Sequence, residues 1–268
     1  MLSTSFSHLR TYWLWVATAM LGALVFVAWP GATGSKAQAV LHGLCAQTPS
    51  HTFAMGGDPL PFDGRMTGIY GGAIVAFGWL AVRRRLLFFG NPPVRVIVVL
   101  ALFVGLMAID GFNSLFHDLR IWHPYEPRNI YRLLTGFGTG VSLAVALSWL
   151  MASSMWNVAR PEAGVRSLRD VGEILLIGVL YVAIVLSGWG FLSLPLTALL
   201  MASAWLVVSV LMLVAILLMF RIDERVRDLR QLHVPGAFAA LVALGVMLAL
   251  AGGRFWAERT FGISVSML

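Results

Sequence analysis

Seven apolar runs, each about as long as a bilayer is thick, leave this chain almost no room for a water-soluble core. They lie at about 11–30, 66–82, 94–115, 130–152, 171–192, 196–220 and 236–253. An apolar helix of about 20 residues crosses the hydrocarbon layer. Lipid offers no partner to an unpaired backbone N–H or C=O, so every run is expected to be a helix. Composition agrees: 59% of the 268 residues are hydrophobic and 12% charged, against roughly a quarter charged in a soluble domain. The expected fold is all-α, a polytopic transmembrane helix bundle of seven spans with no inserted soluble domain. Residues 196–220 should form an antiparallel hairpin with 171–192 through Ser193-Leu-Pro195.

Basic residues decide the orientation. Arg10, Arg83, Arg84, Arg85, Arg95, Arg160, Arg166, Arg169, Arg221, Arg225, Arg227 and Arg230 fall in one alternating set of links. Lys36, Arg65, Arg120, Arg128, Arg132, Arg254 and Arg259 fall in the other. That bias puts the N-terminus in the cytoplasm and the 31–65 link outside. It also accounts for the net charge of +7 without nucleic acid, for which no soluble segment is long enough. The apolar stretch from Trp13 to Trp29 is longer than a signal-peptide core and reads as a retained first span. The link 221–235, which mixes Asp223, Glu224 and Asp228 with arginines, reads as a cytoplasmic helix extension.

The polar residues inside and beside the spans are unevenly placed. The 31–65 link carries His42, Cys45, Gln47, His51, Asp58 and Asp63, and Arg65, Thr67 and Tyr70 open the second run. Asp110, Asn113 and His117 close the third at steps of three and four, hence on one helix face. Asn129, Arg132 and Thr135 open the fourth. All of these fall on the extracytoplasmic side. An ionisable group inside a span faces an opposite charge, a cavity or the bundle interior, so Asp110 is expected to pair with Arg132 or Arg65. Two arginines against one deep carboxylate leave positive charge suited to an anion such as a phosphate headgroup.

His42, Cys45 and His51 are candidate ligands for a zinc- or copper-like metal. Their spacing matches no strong signature, and a solvated loop accounts for them equally. Cys45, the sole cysteine, can form no intrachain disulfide. It would serve as a nucleophile only beside a base such as His42 or His51. The patterns Gly68-x3-Gly72 and Gly136-x3-Gly140 predict close helix approach, with spans two and four packed on each other. The tryptophans, among them Trp13, Trp15, Trp29, Trp122 and Trp156, read as interfacial belt residues. Glu173 reads as complementing the positive N-terminal end of its helix.

Residues 42–140 resemble an uncharacterised prokaryotic multi-span membrane family, domain of unknown function 2085. The resemblance rests on Cys45-Ala-Gln47, Ser50-His51-Thr-Phe53, Leu60-Pro61, Arg65-Met-Thr67-Gly68-Ile-Tyr70, Asp110-Gly111 and Asn129-x2-Arg132-x2-Thr135-Gly136. It implies cysteines at the positions of Asp63 and Met66 and a histidine at Ala46, which this chain lacks. It also implies a membrane region over 1–150, with 151–268 adding three further spans to one integrated membrane domain. The resulting expectation is an integral protein of a prokaryotic cell membrane. An extracytoplasmic pocket at the ends of spans two to four would bind a small anionic or lipid-headgroup ligand through Arg65, Tyr70, Asp110, Asn129 and Arg132. The alternative is an accessory subunit of a larger energy-transducing membrane complex, with the lipid bilayer and other subunits as partners. The sequence assigns neither a reaction nor a cofactor.

Overall fold

The computed structural model describes residues 33–155, 159–220 and 229–262, with residues 13, 16–18, 20–24, 26 and 28 of the first run, all helical. The first span therefore lies partly outside the described residues. Trp15, Trp29, Trp156 and the charged link 221–228 lie outside them altogether.

Six helices among the described residues are long and apolar enough to cross a membrane. They are α2 (Gly64–Val82), α3 (Val94–Asp118), α4 (Asn129–Ser153), α5 (Leu168–Ser187), α6 (Ser193–Met219) and α7 (His233–Phe261). The fold is a polytopic helical bundle, as the apolar runs require. Local chemistry sets its element ends. Asp63 caps α2 by accepting the Met66 N–H at 2.8 Å, and Ser167 caps α5 by accepting the Asp170 N–H at 3.3 Å. Gly188 ends α5 in the left-handed region, at φ 64°.

The 31–65 link is not the irregular loop expected. It begins with a short helix, α1 (Thr33–Leu41), whose Ala37, Val40 and Leu41 are buried at helical spacing. A β-hairpin follows, β1 (Thr52–Met55) against β2 (Asp58–Asp63), with Met55 opposite Asp58. Gly56 and Gly57 turn it, both at positive φ (61° and 94°), a geometry that glycine adopts without penalty. Asp58 begins the second strand. Met55, Leu60 and Phe62 anchor the hairpin in the core. Its tip is fixed on the α5–α6 connection, where Gly56 N–H donates to the Gly188 carbonyl at 2.7 Å. At the other end of the bundle β3 (Phe88–Gly90) runs parallel to β4 (Arg160–Ala163).

The bundle is organised around α2 and α4, which run parallel with their glycines interleaved. A Cβ on Gly72 would lie 2.1 Å from the Phe137 carbonyl oxygen, and one on Gly140 2.0 Å from that of Ile69. Only backbone can approach that closely, as the small-xxx-small patterns indicated. Tyr181 of α5 closes on the same helix, its ring over Gly71 and its hydroxyl donating to the Thr67 carbonyl at 2.8 Å. The apolar core continues from Leu41 and the hairpin through α2, α4, α5 and α6 to Met247 of α7.

Helix α3 is attached differently. Its buried residues are Val96, Asp110, Asn113 and Ser114, three of them polar. Leu102, Leu106, Ile109 and Phe112 are exposed, facing where lipid would lie. Hydroxyls of α4 reach across the seam: Ser142 donates to the Leu100 carbonyl at 2.9 Å and Thr139 to that of Phe103 at 3.4 Å. Lipid matches the apolarity of the helix surfaces, so such hydrogen bonds and close packing supply the attachment.

Gly140→Ala should lower the thermal midpoint in detergent, since added volume in a tight interface costs about 1–3 kcal/mol. Gly105→Ala, in α3 with nothing within 4 Å of the added carbon, should leave it unchanged or raise it. Equal midpoints for the two variants would refute the interleaved packing.

Candidate functional site

The N-terminal ends of α2 and α4 and the C-terminal end of α3 converge, as the polar spacing suggested. Arg65, in the first turn of α2, donates from Nη2 to Asp110 Oδ2 at 2.9 Å and to Ser114 Oγ at 3.3 Å. Asp110 is 1% exposed, so its partner is Arg65 of the two arginines considered. The other carboxylate oxygen, Oδ1, accepts the Tyr125 hydroxyl at 3.1 Å. Asn113 holds that tyrosine in place, donating to its carbonyl at 2.8 Å and accepting its N–H at 3.3 Å. Burial, and then the Asp110 carboxylate, push the Tyr125 phenol above its ordinary pKa.

Arg132 is buried beside this pair and donates from Nη1 to Asn129 Oδ1 at 2.9 Å. Asn129 in turn donates to the Ser50 carbonyl at 3.0 Å, joining α4 to the segment before the hairpin. Packing enforces this arrangement. Gly136, one turn beyond Arg132, sits against the Arg65 carbonyl, where a Cβ would lie 2.3 Å from the oxygen. Arg65 Nε is buried without a hydrogen-bond partner. His51 faces the same charges: burial, then Arg132, lower its pKa and keep the imidazole neutral near pH 7.

Tyr70 stands apart from this cluster. Its ring stacks on Phe62 with centroids 4.7 Å apart, and its carbonyl accepts the Ser203 hydroxyl at 2.6 Å. Two of the three candidate metal ligands have hydrogen-bond partners of their own. His42 Nε2 meets Glu258 at 2.8 Å and Nδ1 meets Gln47 Oε1 at 2.9 Å. Cys45 Sγ accepts the N–H groups of Gln47 and Asp63, each at 3.4 Å. Burial, and then the Asp63 carboxylate, push the thiol up to about 12.

Sequence reasoning missed what organises the 42–47 segment. Helix α7 continues past Gly252-Gly253 and places Arg254 over the turn. Arg254 donates to the carbonyls of His42 (2.7 Å), Cys45 and Ala46 (3.2 Å) and pairs with Glu258 at 2.9 Å. Gln47, at φ 57°, holds an uncommon left-handed backbone. Its amide stabilises it there by donating to the Gln38 and Pro61 carbonyls at 2.8 and 2.9 Å. Tyr125 was also missed. The available signal was its place between Pro124 and Pro127, which restrict the backbone of the segment.

A cleft of about 530 Å³ opens near the hairpin, lined by Gln38, Asp58, Pro59, Ser193 and Thr197 among others, and by none of the five predicted ligand residues. At the opposite end Glu173 does more than complement a helix terminus. It accepts from Trp79 Nε1 at 3.2 Å and from Arg83, while Arg85 meets Asp170 at 3.2 Å.

Residues 45–146 match the family described as predicted membrane protein (DUF2085), an uncharacterised membrane family. The match runs from Cys45 into α4 and contains Arg65, Tyr70, Asp110, Asn129 and Arg132. No curated protein and no solved structure matches the chain.

Asp110→Ala should cost roughly 3–5 kcal/mol, because it leaves a largely buried guanidinium uncompensated. The double variant Arg65→Met/Asp110→Leu should recover much of that loss in thermal unfolding. A double variant no more stable than Asp110→Ala would refute the pairing. Cys45 should resist maleimide in the folded protein. Its rate should rise about tenfold per pH unit from 8 to 10 without a plateau, since the thiolate is scarce below its pKa of about 12. A plateau near pH 8.5 would show an ordinary thiol.

Proposed function

We propose that the outer ends of α2, α3 and α4 form a binding site for a small anion or an anionic lipid headgroup. Arg65 and Arg132 are its ligands, Asp110 is their counter-charge, and Asn129 positions Arg132. The observation that carries this reading is the part-buried Arg65 guanidinium, whose buried Nε–H has no acceptor while the buried Arg132 lies alongside. A buried donor left unsatisfied costs roughly 1–3 kcal/mol, and an oxygen anion would recover it. Asp63 is engaged in capping α2 and Asp118 is exposed, so Asp110 is the carboxylate buried between the arginines. Tyr70 belongs to the hairpin packing in this reading and supports the site from behind.

The reading takes this face as extracytoplasmic, because the opposite links carry the greater number of arginines. Placement in a prokaryotic cell membrane rests on the family resemblance. Residues 151–268 complete the same membrane domain, since the core runs through both halves.

Purified protein should be stabilised by inorganic phosphate or by phosphatidylglycerol added to detergent micelles. Ligand at about 100 times Kd contributes about 2.7 kcal/mol. Stabilisation by both would indicate headgroup chemistry, and by phosphate alone a soluble anion. Arg132→Gln should abolish either effect. Midpoints that respond to neither addition, with stoichiometric partner subunits retained after mild solubilisation, would replace the site with the accessory-subunit reading.

A further inference from the structure

The outer end of α3 and the following turn bring together side chains that the anion site does not use. His117 lies in the last turn of α3, and His123 and Glu126 lie in the connection to α4. One ligand atom from each falls within 4.8 Å of the others, the one such His/Cys/Asp/Glu triplet among the described residues. His117 Nε2 is 3.4 Å from Glu126 Oε2, and His123 Nε2 is 3.3 Å from Glu126 Oε1. Tetrahedral zinc bonds near 2.0–2.2 Å imply ligand–ligand edges of about 3.3–3.5 Å. Each imidazole nitrogen already lies at about that edge from one oxygen of the carboxylate, His117 from Oε2 and His123 from Oε1.

We propose that His117, His123 and Glu126 form a binding site for a zinc-class divalent cation on the outer face, with a fourth position open to solvent. The second nitrogen of each ring supports this assignment. His123 Nδ1 lies 3.1 Å from the Ile121 carbonyl, an acceptor that requires a proton on that nitrogen. His117 Nδ1 lies 3.4 Å from Asp118 Oδ1, which favours the same tautomer. Both rings therefore direct Nε2 toward the Glu126 carboxylate. When the rings are protonated those two nitrogens donate to the carboxylate, and a cation between them would take the place of those protons. A carbonyl or carboxylate on the outer nitrogen of a ligating histidine is the usual support for such a site. Imidazole and carboxylate together suit zinc and its neighbours more than calcium or magnesium. Ring centroids 5.0 Å apart at 79° keep the two histidines from stacking against each other.

This donor set differs from the one suggested by sequence, His42, Cys45 and His51. It is also independent of the anion site, since no ligand is shared.

The test uses full-length protein purified without a histidine tag and titrated with Co²⁺, whose visible bands report coordination, and with Zn²⁺ by competition. One equivalent is expected to bind. Affinity should fall at least tenfold in His117→Gln and in His123→Gln, fall less in Glu126→Gln, and stay unchanged in Cys45→Ser. Metal-free thermal unfolding of each variant establishes that the exposed substitutions leave the fold intact. Absence of stoichiometric binding, equal binding in His117→Gln, or loss in Cys45→Ser alone overturns the proposal.

Discussion

The approach of α2 to α4 sets everything at the hairpin end of the bundle. Glycine on both helices lets backbone meet backbone, so the Arg65 carbonyl rests against Gly136, one turn from Arg132. Two long cations thus start from neighbouring points of a seam that has little freedom to open. Their like charge must be managed locally, and α3 supplies the means with a carboxylate it could not otherwise bury. The third helix is held near its C-terminal end through that charge and along its length through hydroxyl-to-carbonyl bonds. Its apolar side chains stay turned toward lipid.

The two ends of the bundle resolve their charges in opposite ways. At the β3–β4 end, Arg83 and Arg85 flank Trp79 at 5.5 and 5.4 Å, and each has its own carboxylate, Glu173 and Asp170. That pattern is architectural. At the hairpin end the arginines exceed the buried carboxylates, and one guanidinium nitrogen has no partner. Cys45 is the opposite case, a potentially reactive group made inert. Its sulfur contacts the backbone of Asp63, so one position where the family resemblance implies a cysteine does abut Cys45. In this chain Asp63 caps α2 at that corner.

How much could be read from sequence follows from the range of each interaction. Span positions and the α2–α4 glycine seam were legible because lipid imposes a simple rule of length and apolarity, and small residues at spacing four have one main use. Asp110 with an arginine was legible because a buried charge needs its opposite. The choice of Arg65 over Arg132 was not, since it depends on a separation within a hydrogen bond's length. The hairpin went unrecognised although Gly56-Gly57 marked its turn, because Pro59 and Pro61 argue against a strand. Both are tolerated where no further strand pairs. Arg254 and Tyr125 act on backbone or side chains far along the chain, and nothing local to either residue announces its partner.

The clasp of Arg254 on the 42–46 turn also sets an order of assembly. Its acceptors at His42 and Cys45 precede it by 212 and 209 residues. At elongation rates of about 5–20 residues per second, that separation is roughly 10–40 s of synthesis. Throughout that interval the turn, the carbonyls it exposes and the His42 that Glu258 will engage must wait without their final partner. The hairpin end of the bundle is therefore completed only once α7 has been made, although the other groups described there lie between residues 42 and 132.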